Sequence, residues 1–461
     1  MLLQMPVRTP SPITSDMLHR VLALLIMALL YSQPLYAIAG GLPTMSLLIV
    51  LWLCIRISQF AAGDIILLQG LREYVGELAS YGVFVLVTIA SMLLHHGETG
   101  YDHFTIVSRV WLSMFIAASY ARTSLLTIQN FCASAIVVLG LFAWRSIPEL
   151  LSTPYLVREA VWHPEIWPSV LRKGVGGYGM YTSAAIVFPC LISVVMGSKG
   201  AKMVLLAVLS IGIGAAIVLS SLTAALVTWV ALLLLLAMTS AWGERLNLIS
   251  GLTALALVIV SCALIWGYYV AFASSESLQF AIEKAERLSS EIAVAGLSKG
   301  DETGRFDFVQ TSAETFSRHP WFGIGPFTLN ASSENLLVIG GHSSFMDQLA
   351  EYGICGFGSY LVFMALLTRR VWLILRFGSN RLIARAVAIT WAAFLVTGAY
   401  NMVVLILEVS VMVFAVVIIS SFRQCMAPAF FKRLGRRRLK TPSSLGAVDI
   451  ASSGMAAVVG K

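Results

Sequence analysis

The sequence predicts an all-α protein, a polytopic bundle of about twelve helices that cross a membrane. Its composition is the first reason: 58% of the 461 residues are hydrophobic and only 12% are charged. Those charges are too few to cover the surface of a soluble protein of this length. The second reason is that apolar runs of about 17 to 22 residues recur between polar breaks, which is the length a helix needs to cross roughly 30 Å of hydrocarbon.

The predicted spans follow one another with short junctions, except after the ninth. They are 18–37, 44–62, 80–95, 105–121, 124–143, 180–196, 203–220, 222–240, 250–271, 354–375, 383–400 and 402–421. We therefore divide the chain into an N-terminus, nine spans that include one long loop, a larger loop, three last spans and a basic tail that is partly disordered. The bounds of these parts are 1–17, 18–271 with the loop 144–179, 272–353, 354–421 and 422–461.

Positive charge predicts the orientation, because short cytoplasmic loops retain lysine and arginine. These residues, Arg56 and Arg370 among them, gather at one end of the predicted bundle, whereas the short loops at the other end contain none. Both termini are thus predicted to be cytoplasmic, and the two long loops to face outward. The net charge of +8 requires no nucleic acid as a partner, because the basic cluster at 433–438 faces anionic membrane lipid.

A short polar helix is predicted from His342 onward, running into the tenth span. Its residues separate into two faces at helical spacing. A histidine at the N-terminus of a helix lies beside free backbone N–H groups that favour an anion, and it can act as a base. A histidine that merely caps the helix explains the same position. A metal ligand is disfavoured, because no second His or Cys stands three or four residues away. The two faces are Phe345, Met346, Leu349 and Gly353 on one side and Ser344, Asp347, Gln348 and Glu351 on the other.

Two segments upstream of this helix complete a motif. Gly304-Arg305 opens a predicted helical stretch that ends near Ser317. The run His319-Pro320-Trp321-Phe322-Gly323-Ile324-Gly325-Pro326 follows, and its turn-forming residues cannot continue a helix. It is predicted to return the chain to the membrane and to present the histidine.

These segments resemble a known signature. His342-Ser343, nine residues and Gly353-x-x-Gly356, preceded by Gly-Arg and by His-Pro-x-x-Gly-x-Gly-Pro, are similar to the motif of the O-antigen ligase and O-antigen polymerase superfamily. The resemblance implies a GT-C-like glycosyltransferase of the bacterial inner membrane with its site facing the periplasm. It implies transfer of a glycan from undecaprenyl pyrophosphate to a saccharide acceptor, either the lipid A core or a growing polysaccharide, without metal or cofactor. His342 and Arg305 would be its catalytic residues.

A second glycine-rich run, Gly174–Gly179, reads G-x-G-x-x-G. It is not a dinucleotide site, because no strand is predicted before it and no acidic residue lies between Glu165 and Glu244 to hold a ribose. The amides of such a turn can hold phosphate. With Arg172 and Lys173 just before it, the run is predicted to bind pyrophosphate, although an arginine at the membrane interface fits the same position.

Two charges lie within predicted spans. Arg109 and Glu408 would be costly if they faced lipid, so they are predicted to face the interior of the bundle. Pairing with each other, a structural polar contact and a part in the chemistry are all compatible with the sequence.

A transporter of a small anion or of a lipid-linked saccharide is the alternative, because twelve spans with both ends inside also describe many secondary carriers. Against it, the largest loop follows the ninth span and does not divide six spans from six, and the sequence contains no evident internal repeat. Ligase and polymerase share these motifs, so the sequence leaves the two activities open, along with the oligomeric state.

Overall fold

The structure is a computed structural model that describes residues 13–61, 66–95, 98–120, 126–153, 156–220, 222–241, 305–325, 343–400 and 406–425. All regular structure in these ranges is helical. The helices are α1 (Ile13–Tyr31), α2 (Gln33–Ile38), α3 (Leu42–Ala61), α4 (Ile66–Glu73), α5 (Val75–His95), α6 (Glu98–Ser119), α7 (Ile128–Ser152), α8 (Leu156–Trp162), a 3-10 turn (Pro164–Ile166), α9 (Trp167–Arg172), α10 (Tyr178–Met196), α11 (Gly200–Leu219), α12 (Thr223–Ala241), α13 (Arg305–Arg318), α14 (Ser344–Phe377), α15 (Arg381–Tyr400) and α16 (Leu407–Cys425).

The membrane bundle predicted from the sequence is confirmed. Six of the described helices, α3, α7, α10, α11, α14 and α15, are long and apolar enough to cross a membrane. Shorter apolar segments of α1, α5, α6, α12 and α16 fall on five further predicted spans. The predicted span 250–271 and most of the loop 272–353 lie outside the described residues, so the number twelve stays a prediction.

Helix α10 is the centre of the bundle. Every residue from Gly179 to Val195 is buried, and the helix packs against α7, α11, α12, α15 and α16. A helix that is apolar on all sides is stable only when neighbours surround it. The first turn of α10, which continues from the run Gly174–Gly179, is therefore surrounded by other helices.

The first predicted span, 18–37, is two helices and not one. Helix α1 ends at Tyr31 and the short helix α2 begins at Gln33, with Pro34 in its first turn. Proline has no backbone N–H to donate to the preceding turn, so it suits the start of a new helix. Helix α2 packs against α9, a short helix of the predicted outer loop 144–179.

At the end predicted to be cytoplasmic, two arginines are held within the bundle. The Nε of Arg370 in α14 lies 2.6 Å from Glu77 Oε1 in α5, and its guanidinium lies over the Tyr74 ring at 4.4 Å. The Tyr74 hydroxyl donates to the Ile418 carbonyl of α16 at 2.9 Å. Arg56 is buried, with its guanidinium 3.9 Å from the centre of the Tyr120 ring. These contacts fix how α5, α14 and α16 lie along one another.

Candidate active site

The motif residues meet where α13 and the chain after it contact the start of α14. Ser343 is the N-cap of α14, with extended backbone angles and a side chain that accepts from the Met346 N–H at 3.5 Å. The predicted helix is therefore present, beginning at Ser344. The predicted helix upstream is present too, as α13, and residues 319–325 leave it as a turn.

Helix α14 is broken at Gly353, which has φ +60° and ψ −168°. Only glycine adopts this conformation readily. The two N–H groups after the break do not point along the helix: Ile354 donates to the Pro320 carbonyl at 2.8 Å and Cys355 to the Trp321 carbonyl at 3.1 Å. The break thus joins α14 to the His-Pro-x-x-Gly-x-Gly run.

The same run returns two hydrogen bonds to the turn of α14 before the break. The Ile324 N–H donates to the Ala350 carbonyl at 3.1 Å, and the Gly325 N–H donates to the Glu351 carbonyl at 2.9 Å. We call the paired segments 320–325 and 350–355 the glycine joint. Backbone groups on both sides of the break are therefore hydrogen-bonded, as a buried broken helix requires.

The glycines of the joint are needed because the two backbones touch. A Cβ at Gly323, where φ is +68°, would lie 2.3 Å from the carbonyl group of Glu351. A Cβ at Gly353 would lie 2.4 Å from the carbonyl group of Trp321. Real Cβ atoms do not approach so closely, and a paired backbone cannot move aside. The need for glycine at both 323 and 353 therefore follows from one tertiary contact.

The polar face of the first turns of α14 is the buried one. Its members are at most 2% exposed, whereas Phe345, Met346 and Leu349 are partly exposed. Ser312 of α13 donates to Asp347 Oδ1 at 2.7 Å, and the Ser343 N–H donates to Asp347 Oδ2 at 3.3 Å. This polar face binds α13 to α14. It consists of Ser344, Asp347, Gln348 and Glu351.

The two predicted catalytic residues flank this structure. Arg305 is the first residue of α13, and its side chain lies outside the described residues. His342 immediately precedes the N-cap Ser343 and also lies outside them. The elements that carry both residues are held together by the glycine joint and by the hydrogen bond from Ser312 to Asp347.

The two charges predicted to face the interior line one cavity of about 300 Å³. Glu408 is buried at the start of α16, within reach of the Gln33 side chain, and the charge of Arg109 acts on its carboxylate. Arg109 itself donates to the Tyr36 hydroxyl at 3.3 Å. We call this cavity the Glu408 pocket. Its lining residues are Leu29, Leu30, Gln33, Tyr36, Arg109, Trp167, Leu171, Leu407 and Glu408.

The pocket lies deeper in the bundle than the polar face of α14. Phe363 of α14 packs against Phe414 of α16 with ring centres 5.0 Å apart. Counting back along both helices from this contact, Glu408 is level with about residue 357, which follows the break at Gly353, whereas Glu351 precedes the break. The glycine joint and the pocket occupy successive levels along the two adjacent helices.

Two residues of the run Gly174–Gly179, Gly177 and Gly179, lie directly behind side chains that line the pocket. The Gly177 N–H donates to Gln33 Oε1 at 2.8 Å, and the Gly176 N–H donates to the Tyr181 hydroxyl at 3.3 Å. Two of the amides predicted to hold phosphate are therefore used within the protein. The sequence did not predict that this run would support Gln33.

Arg172 and Lys173 lie at the end of α9, close to the pocket residue Leu171. Arg145 of α7 donates to the carbonyl oxygens of both, at 3.0 and 3.2 Å, and so caps this helix. The Lys173 Nζ lies 2.8 Å from Glu149 Oε2. The Arg172 side chain is exposed. Of the two cations, Lys173 already has an acidic partner.

Gln33, Tyr36 and Trp167 were not singled out in the sequence. One rule could have found Gln33: it lies within the predicted span 18–37, and an uncompensated polar side chain in a span indicates a contact inside the bundle. Trp167 and Tyr36 carry no such indication, because aromatic residues are common at membrane interfaces for other reasons.

Comparison with known families bears on the same region. Residues 205–361 match a family model described as O-antigen ligase. The matched range contains α13, the glycine joint and the first turns of α14. No curated protein matches the chain. The family match confirms the resemblance seen in the sequence over these residues, and it supports a multi-pass membrane glycosyltransferase of the O-antigen ligase and polymerase type.

Proposed function

We propose that this protein transfers a glycan from undecaprenyl pyrophosphate to a saccharide acceptor at the periplasmic end of its bundle, in the inner membrane. The glycine joint is the observation that carries the proposal. It lies inside the family match and holds the end of α13 and the start of α14 in fixed register. Arg305 and His342 stand at the ends of these two helices, so a rigid joint presents both to one substrate.

The proposed reaction is a substitution at the anomeric carbon of the donor glycan. The acceptor hydroxyl oxygen forms the new glycosidic bond, the bond from the anomeric carbon to the phosphate oxygen breaks, and the pyrophosphate leaves with the electron pair. His342 accepts the proton of the acceptor hydroxyl. Arg305 and the exposed Arg172 stabilise the negative charge on the leaving pyrophosphate. Lys173, which is paired with Glu149, adds positive charge beside Arg172.

The charge term is large enough to matter. One cation about 4 Å from the leaving phosphate contributes about 4 kcal/mol at an effective dielectric constant near 20. That energy corresponds to about three decades in rate. Because pyrophosphate is already a good leaving group, cationic stabilisation and a base are sufficient, and the reaction is proposed to need no metal.

Arg305 provides a sharp test of this charge. Both Arg305→Ala and Arg305→Lys are expected to impair transfer, because lysine keeps the charge but lacks the fork that grips two phosphate oxygens. Transfer by membranes with matched protein levels is the measurement. Arg318→Ala at the other end of α13, which is exposed, is the matched control. Full activity of Arg305→Ala would remove this residue from the mechanism.

The proposed function is tested by the lipid-linked glycan that accumulates in a deletion strain complemented with His342→Ala. This variant should remain in the membrane, yet cells should lose the finished surface polymer. Mass analysis of carrier-linked glycan separates the two activities. Single repeat units on the carrier indicate a polymerase, and long chains indicate a ligase. Unchanged carrier pools with lost uptake of a small anion would contradict the proposal and favour a transporter.

A further inference from the structure

We propose that the Glu408 pocket is a saccharide subsite that binds one pyranose ring with free hydroxyl groups. The assignment of that ring to the glycan donor or to the acceptor rests on the proposed function. The argument that the pocket binds a sugar does not. The pocket lies at the start of α16, next to the helix α9 that ends in Arg172. Nothing in the motif or in the proposed reaction requires it.

The lining of the pocket has the mixture of groups that a sugar ring requires. A sugar presents apolar C–H faces and a rim of hydroxyl groups, so its site needs aromatic surface together with donors and acceptors. Trp167 and Tyr36 supply rings with polar tips. Gln33, Arg109 and Glu408 supply hydrogen-bonding groups. The volume of about 300 Å³ is at the lower end of the range for small-molecule sites.

The polar groups are held in fixed positions, which distinguishes a built site from a gap in packing. Because Gln33 Oε1 accepts from the Gly177 N–H at 2.8 Å, the orientation of the amide is determined and its NH₂ group faces Glu408. The guanidinium of Arg109 lies over the Tyr36 ring at 5.3 Å and bonds the Tyr36 hydroxyl. Three side chains are thus oriented before any ligand binds.

Two glycines leave the room that these side chains and Glu408 occupy. A Cβ at Gly177 would lie 2.3 Å from Gln33 Oε1 and 2.7 Å from the Trp167 ring. A Cβ at Gly179 would lie 2.2 Å from Glu408 Oε2. Any larger residue at either position would push a pocket side chain into the cavity. Gly177 and Gly179 are therefore explained by the side chains of the pocket.

The charges favour a neutral polyol over the other small ligands. Among the described residues, the lining of the pocket includes one cation, Arg109, and one carboxylate, Glu408. A small anion would bind beside the carboxylate, which opposes it. A lipid chain would offer no hydrogen-bond partner to the buried Glu408 or to Arg109, which is costly. Sugar hydroxyl groups can donate to Glu408 and accept from Arg109 at once.

The test is ligand binding to the full-length protein in nanodiscs of phosphatidylethanolamine and phosphatidylglycerol, measured by saturation-transfer NMR. Two probes distinguish the sources: repeat-unit oligosaccharide from the strain's own surface polymer, and core oligosaccharide released from its lipid A. Wild type should bind at least one probe. Glu408→Gln should weaken that binding about tenfold by removing a charged hydrogen-bond acceptor, and Trp167→Phe should weaken it several-fold. Trp372→Phe, a half-exposed tryptophan far along α14, is the matched control and should bind as wild type.

The proposal is overturned if neither probe binds wild type up to its solubility limit, if the two pocket variants bind as the control does, or if inorganic phosphate displaces the sugar. Transfer assays on the same samples separate this proposal from the proposed function. Sugar binding that is weakened in the pocket variants, without any transfer by wild type, would support the subsite and contradict the proposed transferase function. Transfer with unchanged KM values for acceptor and donor in both pocket variants would support the transferase function and contradict the subsite.

Discussion

Two glycine-rich segments of this chain, Gly174–Gly179 and Gly323–Gly325, look alike in sequence and differ in what they contact. Around Gly177 and Gly179, an added Cβ would meet side-chain atoms of the Glu408 pocket. At Gly323, an added Cβ would meet the backbone of Glu351. A side chain can rotate away, whereas a hydrogen-bonded backbone cannot. The first segment therefore preserves a space for a ligand, and the second forms a rigid joint between helices.

This difference predicts that the two segments respond differently to the same substitution. In the joint, an alanine should damage the fold of the region that carries Arg305 and His342. At Gly177 or Gly179, behind the side chains of the pocket, an alanine should leave the fold largely intact and alter what binds. Stability and ligand binding, measured side by side, separate the two kinds of damage.

Gly353→Ala should have the largest effect. The residue would adopt a conformation that costs about 1–3 kcal/mol for a residue other than glycine, and it would disrupt backbone hydrogen bonds contributing about 1 kcal/mol each. We expect a loss of about 3–5 kcal/mol of stability and a fall in transfer of about a hundredfold or more, since small misplacements of catalytic groups are costly. Thermal unfolding and transfer assays measure the two effects.

The control for this variant is Gly358→Ala in the same helix, where a Cβ meets nothing within 4 Å. It should be neutral or slightly stabilising, because alanine favours a helix. Since Gly323 and Gly353 belong to one joint, the double variant Gly323→Ala/Gly353→Ala should cost less than the sum of the single variants. Strict additivity would show that the joint is not one structural unit.

Gly179→Ala should have an intermediate effect on stability, about 1–3 kcal/mol, because the Glu408 side chain can move to make room. Its main consequence should be weaker binding of the saccharide probe, as the displaced carboxylate enters the cavity. Gly76→Ala serves as the matched control, because a Cβ there meets only a leucine methyl group at an ordinary 3.4 Å. Wild-type binding by Gly179→Ala would show that this glycine does not keep the Glu408 carboxylate in its position in the pocket.

Ser312→Ala should have the smallest of the three effects. It removes the 2.7 Å hydrogen bond to Asp347 and leaves a buried carboxylate oxygen without that donor, a loss of about 1–2 kcal/mol. Ser317→Ala, which removes only an exposed bond within α13, should leave the melting temperature unchanged. Equal melting temperatures for the two variants would show that Ser312 does not fasten α13 to α14.

Hydropathy predicted the spans that the described helices confirm, because a run of twenty apolar residues is typical of a membrane-spanning helix. It did not predict that 18–37 is divided into two helices. The residue types at 319–325 predicted the turn that follows α13, since Pro320 and the following glycines cannot continue a helix. Helical periodicity separated the two faces around Asp347 but could not indicate which face points inward. The usual rule, apolar inside, fails here because α13 supplies hydrogen bonds to the polar side.

The pocket could not be predicted as a unit. It joins Gln33, Trp167 and Glu408, which lie far apart in the sequence, and no local pattern links them. Only the general cost of a charge inside a membrane indicated Arg109 and Glu408. The pairing of the joint segments was equally hidden, because the two glycine conformations follow from a tertiary contact and each segment alone looks like an ordinary turn.

The central claim is that this chain is a transferase whose base is His342, and purified protein tests it most directly. Wild type and His342→Ala, in detergent without any ion gradient, are mixed with extracted undecaprenyl-pyrophosphate-linked glycan and an acceptor saccharide. We predict that wild type consumes the donor and extends the acceptor, and that His342→Ala does neither while melting at the same temperature. Donor consumption by His342→Ala at the wild-type rate, or its absence with wild type in the presence of both substrates, would contradict the account.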